Sequence, residues 1–175
     1  MHNDWPSLLT SALTLISVTV LLVAALHDLV ARTVPNWMAL ALALLGLAQR
    51  AVAGSIPGGL IAGLIVFILA ALCWRRGWLG GGDVKLLGAA SMVVPPSNVP
   101  AFICAVALAG GILALMYVSA NRLAASRNLH PRPRPGPAAM GLFRRALRAE
   151  RWRIRRGGPL PYACAIAAGF IVVVL

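Results

Sequence analysis

Residues 8–26 read LLTSALTLISVTVLLVAAL, an unbroken run of apolar and small hydroxyl side chains from Leu8 to Leu26. At 1.5 Å rise per residue, about 20 such residues cross the hydrocarbon of a bilayer, so this run reads as a membrane span. Met1 to Ser7 contain no Lys or Arg and include Asp4, and no small-residue cleavage site precedes Asp28. The segment is therefore expected to remain in the protein and not to be removed as a secretory signal.

The rest of the chain repeats the theme. Of 175 residues, 60% are hydrophobic and 11% charged, with a mean hydropathy of +0.85. That composition excludes an ordinary soluble domain. Further apolar segments run over Val34–Ala53, Pro57–Trp74, Val84–Pro96, Val99–Ala120 and Pro159–Leu175. The expected fold is all-α, one polytopic membrane domain over residues 1–175 with six transmembrane helices. Val84–Pro96 is the short member, and a segment of about 13 residues also suits a re-entrant or broken element.

Charge sets the expected orientation. The chain has 16 Lys and Arg against 4 acids, a formal net charge of +12. In the six-helix arrangement Arg50 alone falls on one side, and the other fifteen basic residues share the opposite side. Positive residues collect on the cytoplasmic side of membrane proteins, which places both termini on the periplasmic side and Asp28 and Asp83 together at the cytoplasmic face.

Most of that charge lies between Asn121 and Gly158. Its alternating Pro and Arg, from Pro131 to Pro137, predict an extended polyproline-like connector. Beyond it, Met140, Phe143, Leu147 and Ile154 share a narrow helical arc while the arginines point elsewhere, so residues 139–156 are expected to form an interfacial amphipathic helix. Anionic lipid head groups are the expected partner of this loop, and nucleic acid is not. Cys73, Cys104 and Cys164 form no CxxC pair and read as packing residues. His2, His27 and His130 lack the mutual spacing of metal ligands, so no metal site is expected.

The acids are few: Asp4, Asp28, Asp83 and Glu150. Asp28 and Asp83 sit where apolar segments meet short polar turns. An acid near membrane depth is costly and usually faces protein or water with a task, and two together can share one proton. The plainer alternative is that each caps a helix. Asp83 is preceded by Gly80, Gly81 and Gly82, which without Cβ atoms can adopt positive φ and let a substrate backbone approach, and it is expected to begin a helix. A proton-relay transporter component, or a non-catalytic assembly scaffold, are the competing functional readings.

Gly80-Gly81-Gly82-Asp83-Val84-Lys85-Leu86 resembles the GxGD signature of the type IV prepilin peptidases. His27-Asp28 followed by Val34-Pro35-Asn36 resembles that family's first acid and the opening of its second helix. Pro161-Tyr162-Ala163-Cys164-Ala165-Ile166-Ala167 resembles its last helix. The three matches occur in the family's order across nearly the whole chain. The resemblance implies an aspartic endopeptidase without cofactor, with Asp28 and Asp83 catalytic and Gly80, Gly81, Gly82, Lys85, Pro35 and Asn36 in support. It implies a prepilin or pseudopilin substrate whose short basic leader is removed at the cytoplasmic face of the bacterial inner membrane. Bifunctional members carry a CxxC-bearing insert that is associated with N-methylation. Here seven positions take the chain from Asp28 to Pro35. The chain is similar to the compact, peptidase-only members serving tight-adherence, Flp-type pili. From the charge split, a reporter fused after Leu123 is expected to report cytoplasm and one fused at Leu175 periplasm; the reverse pattern overturns the orientation.

Overall fold

The structure, a computed structural model, describes residues 4–126 and 161–174. The amphipathic helix expected at 139–156, and the polyproline-like connector before it, lie outside the described residues. Within them are six α-helices: α1 (Trp5–Ala31), α2 (Asn36–Val52), α3 (Ile56–Arg75), α4 (Gly81–Val93), α5 (Val99–Ser126) and α6 (Tyr162–Val174). A 3₁₀ turn over Pro96–Asn98 leads into α5. All six appear where the apolar segments placed them, and their ends follow the turn chemistry. Gly54 and Gly77 take φ of 63° and 76°, values that L side chains rarely adopt, in the reversals before α3 and after it.

Three stretches are long and apolar enough to cross a membrane: Trp5–Ala31, Ile56–Arg75 and Pro96–Ser119, with mean hydropathies of 2.3, 2.5 and 2.4. Their outward side chains, among them Leu15, Leu64, Leu69, Leu108 and Leu115, are exposed. Outward apolar surface on this scale suits lipid as solvent: the protein is membrane-embedded, and its described residues are all-helical.

The thirteen residues of α4 reach only about 20 Å, less than the ~30 Å hydrocarbon thickness. The shortfall is met by enclosure. Val84, Leu86, Leu87, Gly88, Ala89, Ala90, Ser91 and Val93 are all buried, and α4 packs chiefly between α2 and α3, with α6 also touching it. Without a hydrophobic driving force in lipid, close contact relies on small residues. A Cβ on Gly88 would stand 3.0 Å from Phe67 Cβ, and one on Gly63 would stand 3.1 Å from the Gly88 carbonyl and run into Met92 Cγ. A second seam joins α5 to α6, where the Phe102 and Phe170 rings meet edge-on at 6.1 Å, and α6 also packs on α1.

Arg50, the residue that broke the charge split, is buried at 6% exposure. Its Nη2 donates to the Val93 carbonyl at 3.0 Å, satisfying a carbonyl at the end of α4 that has no partner within the helix. Its side chain crosses the space that a Cβ on Gly59 would fill.

Gly63→Leu is expected to push α3 off α4 and destabilise the fold by about 1–3 kcal/mol, the usual cost of overpacking. A thermal midpoint in detergent equal to that of the parent protein would refute this packing.

Candidate active site

Asp28 lies in the last turn of α1 and is buried at 8% exposure. The helix ends just past it because Arg32 adopts the left-handed conformation, φ 56° and ψ 29°, and donates its backbone N–H to the Asp28 carbonyl at 2.9 Å. It is the only non-glycine residue with positive φ among those described. Such a conformation costs about 1–3 kcal/mol and persists only where the surroundings enforce it. His27 helps: its Nδ1 lies 2.6 Å from the Thr33 carbonyl, and since a carbonyl only accepts, that nitrogen carries the proton. His27 thus closes the turn.

The helix-start expectation for Asp83 needs correcting. Gly80 is the N-cap of α4, in extended conformation, and Gly81 and Gly82 are its first two helical residues, so Asp83 is the third. None of these three glycines has positive φ; that geometry falls on Gly77. The chain reverses before the glycine run, which is left free to enter the helix. What the glycines supply is room for this protein's own groups. A Cβ on Gly80 would stand 2.7 Å from Asp83 Oδ2, one on Gly81 3.5 Å from Trp74 Nε1, and one on Gly82 3.0 Å from Val34 Cβ. The Asp83 carboxyl folds back to a backbone hydrogen bond at Gly80, the reciprocal half of a capping box. Helix capping and exposure to a cavity are therefore both true of this acid.

The supporting residues come together around the same turn. Pro35, with φ −59°, is the N-cap of α2 and not its first helical residue, which is Asn36. Lys85 Nζ donates to Asn36 Oδ1 at 2.8 Å. With Val34 seated on Gly82, this bond joins the Val-Pro-Asn step to the glycine run. Lys85 is a tie between two helix N-termini.

Asp28 and Asp83 line one cavity of about 550 Å³, together with Arg32, Gly77, Trp78, Leu79, Gly80 and Tyr162. Asp83 lies in the first turn of α4, at its polar end and ahead of the apolar segment that begins at Val84. Its pKa is raised to about 6, first by burial and then by the charge on Asp28; the Gly80 hydrogen bond and Arg32 act in the opposite direction. Between its ordinary value and about 6 the folded protein retains a proton that the unfolded chain releases. This group's contribution therefore makes the fold less stable as pH rises through that window.

The model of the type IV leader peptidase family matches residues 15–115, more than half of the chain, including both aspartates and the glycine run. The chain belongs to the type IV leader peptidase family. No curated protein and no solved structure gives a match to it. For a leader peptidase, the cavity is lined by two carboxylic acids, an arginine and a tyrosine.

Sequence reasoning missed several of these wall residues. Arg32 was read only as a topology charge and Tyr162 only as part of the last-helix motif. Tyr162 comes from α6, and its ring packs where a Cβ on Gly110 would come within 2.9 Å; the Pro-Tyr pair was the available signal. Trp78 is exposed, with the Arg76 guanidinium 5.5 Å above its ring centroid, and nothing in the glycine signature points to it.

Carboxyl carbon NMR of the peptidase should show Asp83 titrating near 6. Asp28→Asn should move that midpoint down and Arg32→Gln should move it up; a midpoint indifferent to both substitutions would contradict the electrostatic arrangement.

Proposed function

We propose that this leader peptidase is an aspartic endopeptidase that removes the short basic leader of a Flp-type prepilin at the cytoplasmic face of the inner membrane. The observation that carries the reading is that Asp28 and Asp83, far apart in sequence, line a single cavity at one end of the bundle.

Their surroundings support the orientation. Arg75, Arg76 and Lys85 lie at the same end, as do the exposed indoles of Trp37, Trp74 and Trp78. Basic residues mark the cytoplasmic side and Trp is enriched at the membrane–water boundary. Six spans with periplasmic termini fit that bias, the short α4 being enclosed by its neighbours. A leader that stays in the cytoplasm ahead of a membrane-embedded pilin helix meets the cavity at this level.

The chemistry follows from the paired acids. Two neighbouring carboxyls do not ionise together easily, so the pair holds one proton up to about pH 6. Asp83, with the raised pKa, is assigned that proton, and Asp28 acts as the base. Asp28 takes a proton from a water molecule whose oxygen attacks the scissile carbonyl carbon, while Asp83 donates its proton to the carbonyl oxygen. Collapse of the tetrahedral species breaks the C–N bond: the departing amine takes the proton held by Asp28, and Asp83 recovers its proton from the hydroxyl that becomes the new carbonyl oxygen, which restores both acids. Arg32 tempers the negative charge, and the Lys85–Asn36 bond holds the turn on which Asp83 is mounted. The polar turn between α1 and α2 has no room for a CxxC insert, so the reading stops at hydrolysis and does not extend to methylation of the new N-terminus. A proton relay across the membrane is less well served, since both acids sit at one end of the bundle.

Asp28→Asn and Asp83→Asn should each slow leader removal by about 10²–10⁴-fold, the usual contribution of a positioned acid or base. The assay is the mass of a purified Flp-type prepilin after incubation, with helical content checked by circular dichroism. Undiminished cleavage by either folded variant would end the two-aspartate mechanism.

A further inference from the structure

A second cavity, of about 470 Å³, opens at the other end of the bundle, where Thr10, Ser11, Thr14 and Leu15 of α1 face Gln49 of α2 and Asn98 of the 3₁₀ turn. Thr14 is about 21 Å from Asp28 along α1, so this site is separate from the dyad. Its volume lies within the ~300–1,000 Å³ usual for small-ligand pockets.

The hydrogen bonds define what it can hold. Thr10, Ser11 and Thr14 give their hydroxyl protons to the Pro6, Ser7 and Thr10 carbonyls at 2.8, 2.9 and 2.9 Å. The Thr14 oxygen can then only accept, and Gln49 Nε2 donates to it at 3.0 Å. That requirement fixes which way the amide faces. Gln49 Oε1 is left without a partner, although the side chain is only 5% exposed. A buried acceptor in that state calls for a donor. The hydroxyl oxygens of Thr10 and Ser11, their protons spent, ask for the same. At the exposed rim the polarity reverses: Asn98 Oδ1 accepts from Ser97 at 3.1 Å, which leaves the Asn98 N–H groups to donate. The flanks are apolar and open, with Leu15 at 59% and Val172, beside the lining Val173, at 74% exposure.

We propose that this cavity binds a membrane phospholipid whose head group carries N–H or O–H donors. The ammonium of ethanolamine, or the hydroxyls of a glycerol head group, donate to Gln49 Oε1 and the Thr10 and Ser11 oxygens. The phosphate takes the Asn98 N–H groups at the rim, and an acyl chain lies along Leu15 and Val172. Water could satisfy the polar floor but makes no use of the apolar flanks. Phosphatidylcholine, whose trimethylated nitrogen has no donor, is the matched control.

The test reconstitutes the full chain in bilayers of equal phosphatidylethanolamine and phosphatidylcholine and reads tightly held lipid by native mass spectrometry. Phosphatidylethanolamine should be retained at least about fivefold over phosphatidylcholine, the worth of one net hydrogen bond. Phosphatidylglycerol in its place should give the same preference. Equal retention, the result for a cavity that holds water only, overturns the proposal. Gln49→Leu should abolish the preference, and Ser11→Ala, at an exposed position that leaves the packing intact, should reduce it. A preference unchanged in both variants assigns the lipid elsewhere and overturns the site. Leader cleavage should persist in both variants, because neither residue adjoins the dyad.

Discussion

The short helix α4 must be enclosed, and the rest of the bundle follows from that constraint. A helix of thirteen residues does not bridge the hydrocarbon, and its polar ends cannot be left facing lipid tails. α2 and α3 therefore flank it, with α6 touching it as well, and glycines bring α3 close enough to touch its backbone. Arg50 attends to the far end of α4 by bonding the Val93 carbonyl. At the near end, Gly80 caps the helix and Asp83 returns to it. Because both ends are fixed by neighbours, the carboxyl carried on the first turn is held in place relative to α1 and α2.

That placement turns a capping residue into half of a candidate catalytic pair. Burial and the nearby Asp28 charge raise the proton affinity of Asp83, while Arg32 limits the effect. Arg32 reaches this position through a left-handed backbone conformation that ends α1 just past Asp28. The strained turn, the Pro35 cap and the Lys85–Asn36 bond hold two otherwise separate motifs in register. Leader peptidase chemistry at this site would depend on that register as much as on the acids themselves.

Much was legible along the chain because the bilayer imposes a simple code. Apolar runs of membrane length located all six helices, including the short fourth, to within a few residues at most ends. The aspartates stood out because acids are rare beside hydrocarbon, and the glycine signature pointed to the family that the residue 15–115 match establishes. The conformation given to the glycines was less accurate. Their freedom was read as positive φ, whereas the reversal occurs at Gly77 and their missing Cβ atoms admit Val34, Trp74 and the Asp83 carboxyl. A string of glycines states that space is needed, and says nothing of what fills it.

Local composition by itself determined that the chain is helical and membrane-embedded, where its helices lie, and which two acids are worth watching. These are properties of single segments, set by hydrocarbon thickness and by the cost of unpaired polar groups. Tertiary structure decided which distant residues meet: that Tyr162 and Arg32 line one cavity with the two aspartates, that Lys85 ties to Asn36, and that Arg50 serves α4 inside the protein. It also decided that Gln49, with an unpaired side-chain oxygen, lines a second cavity. Those facts depend on helix rotation and on contacts between segments up to well over a hundred positions apart, and no periodicity along one segment encodes them.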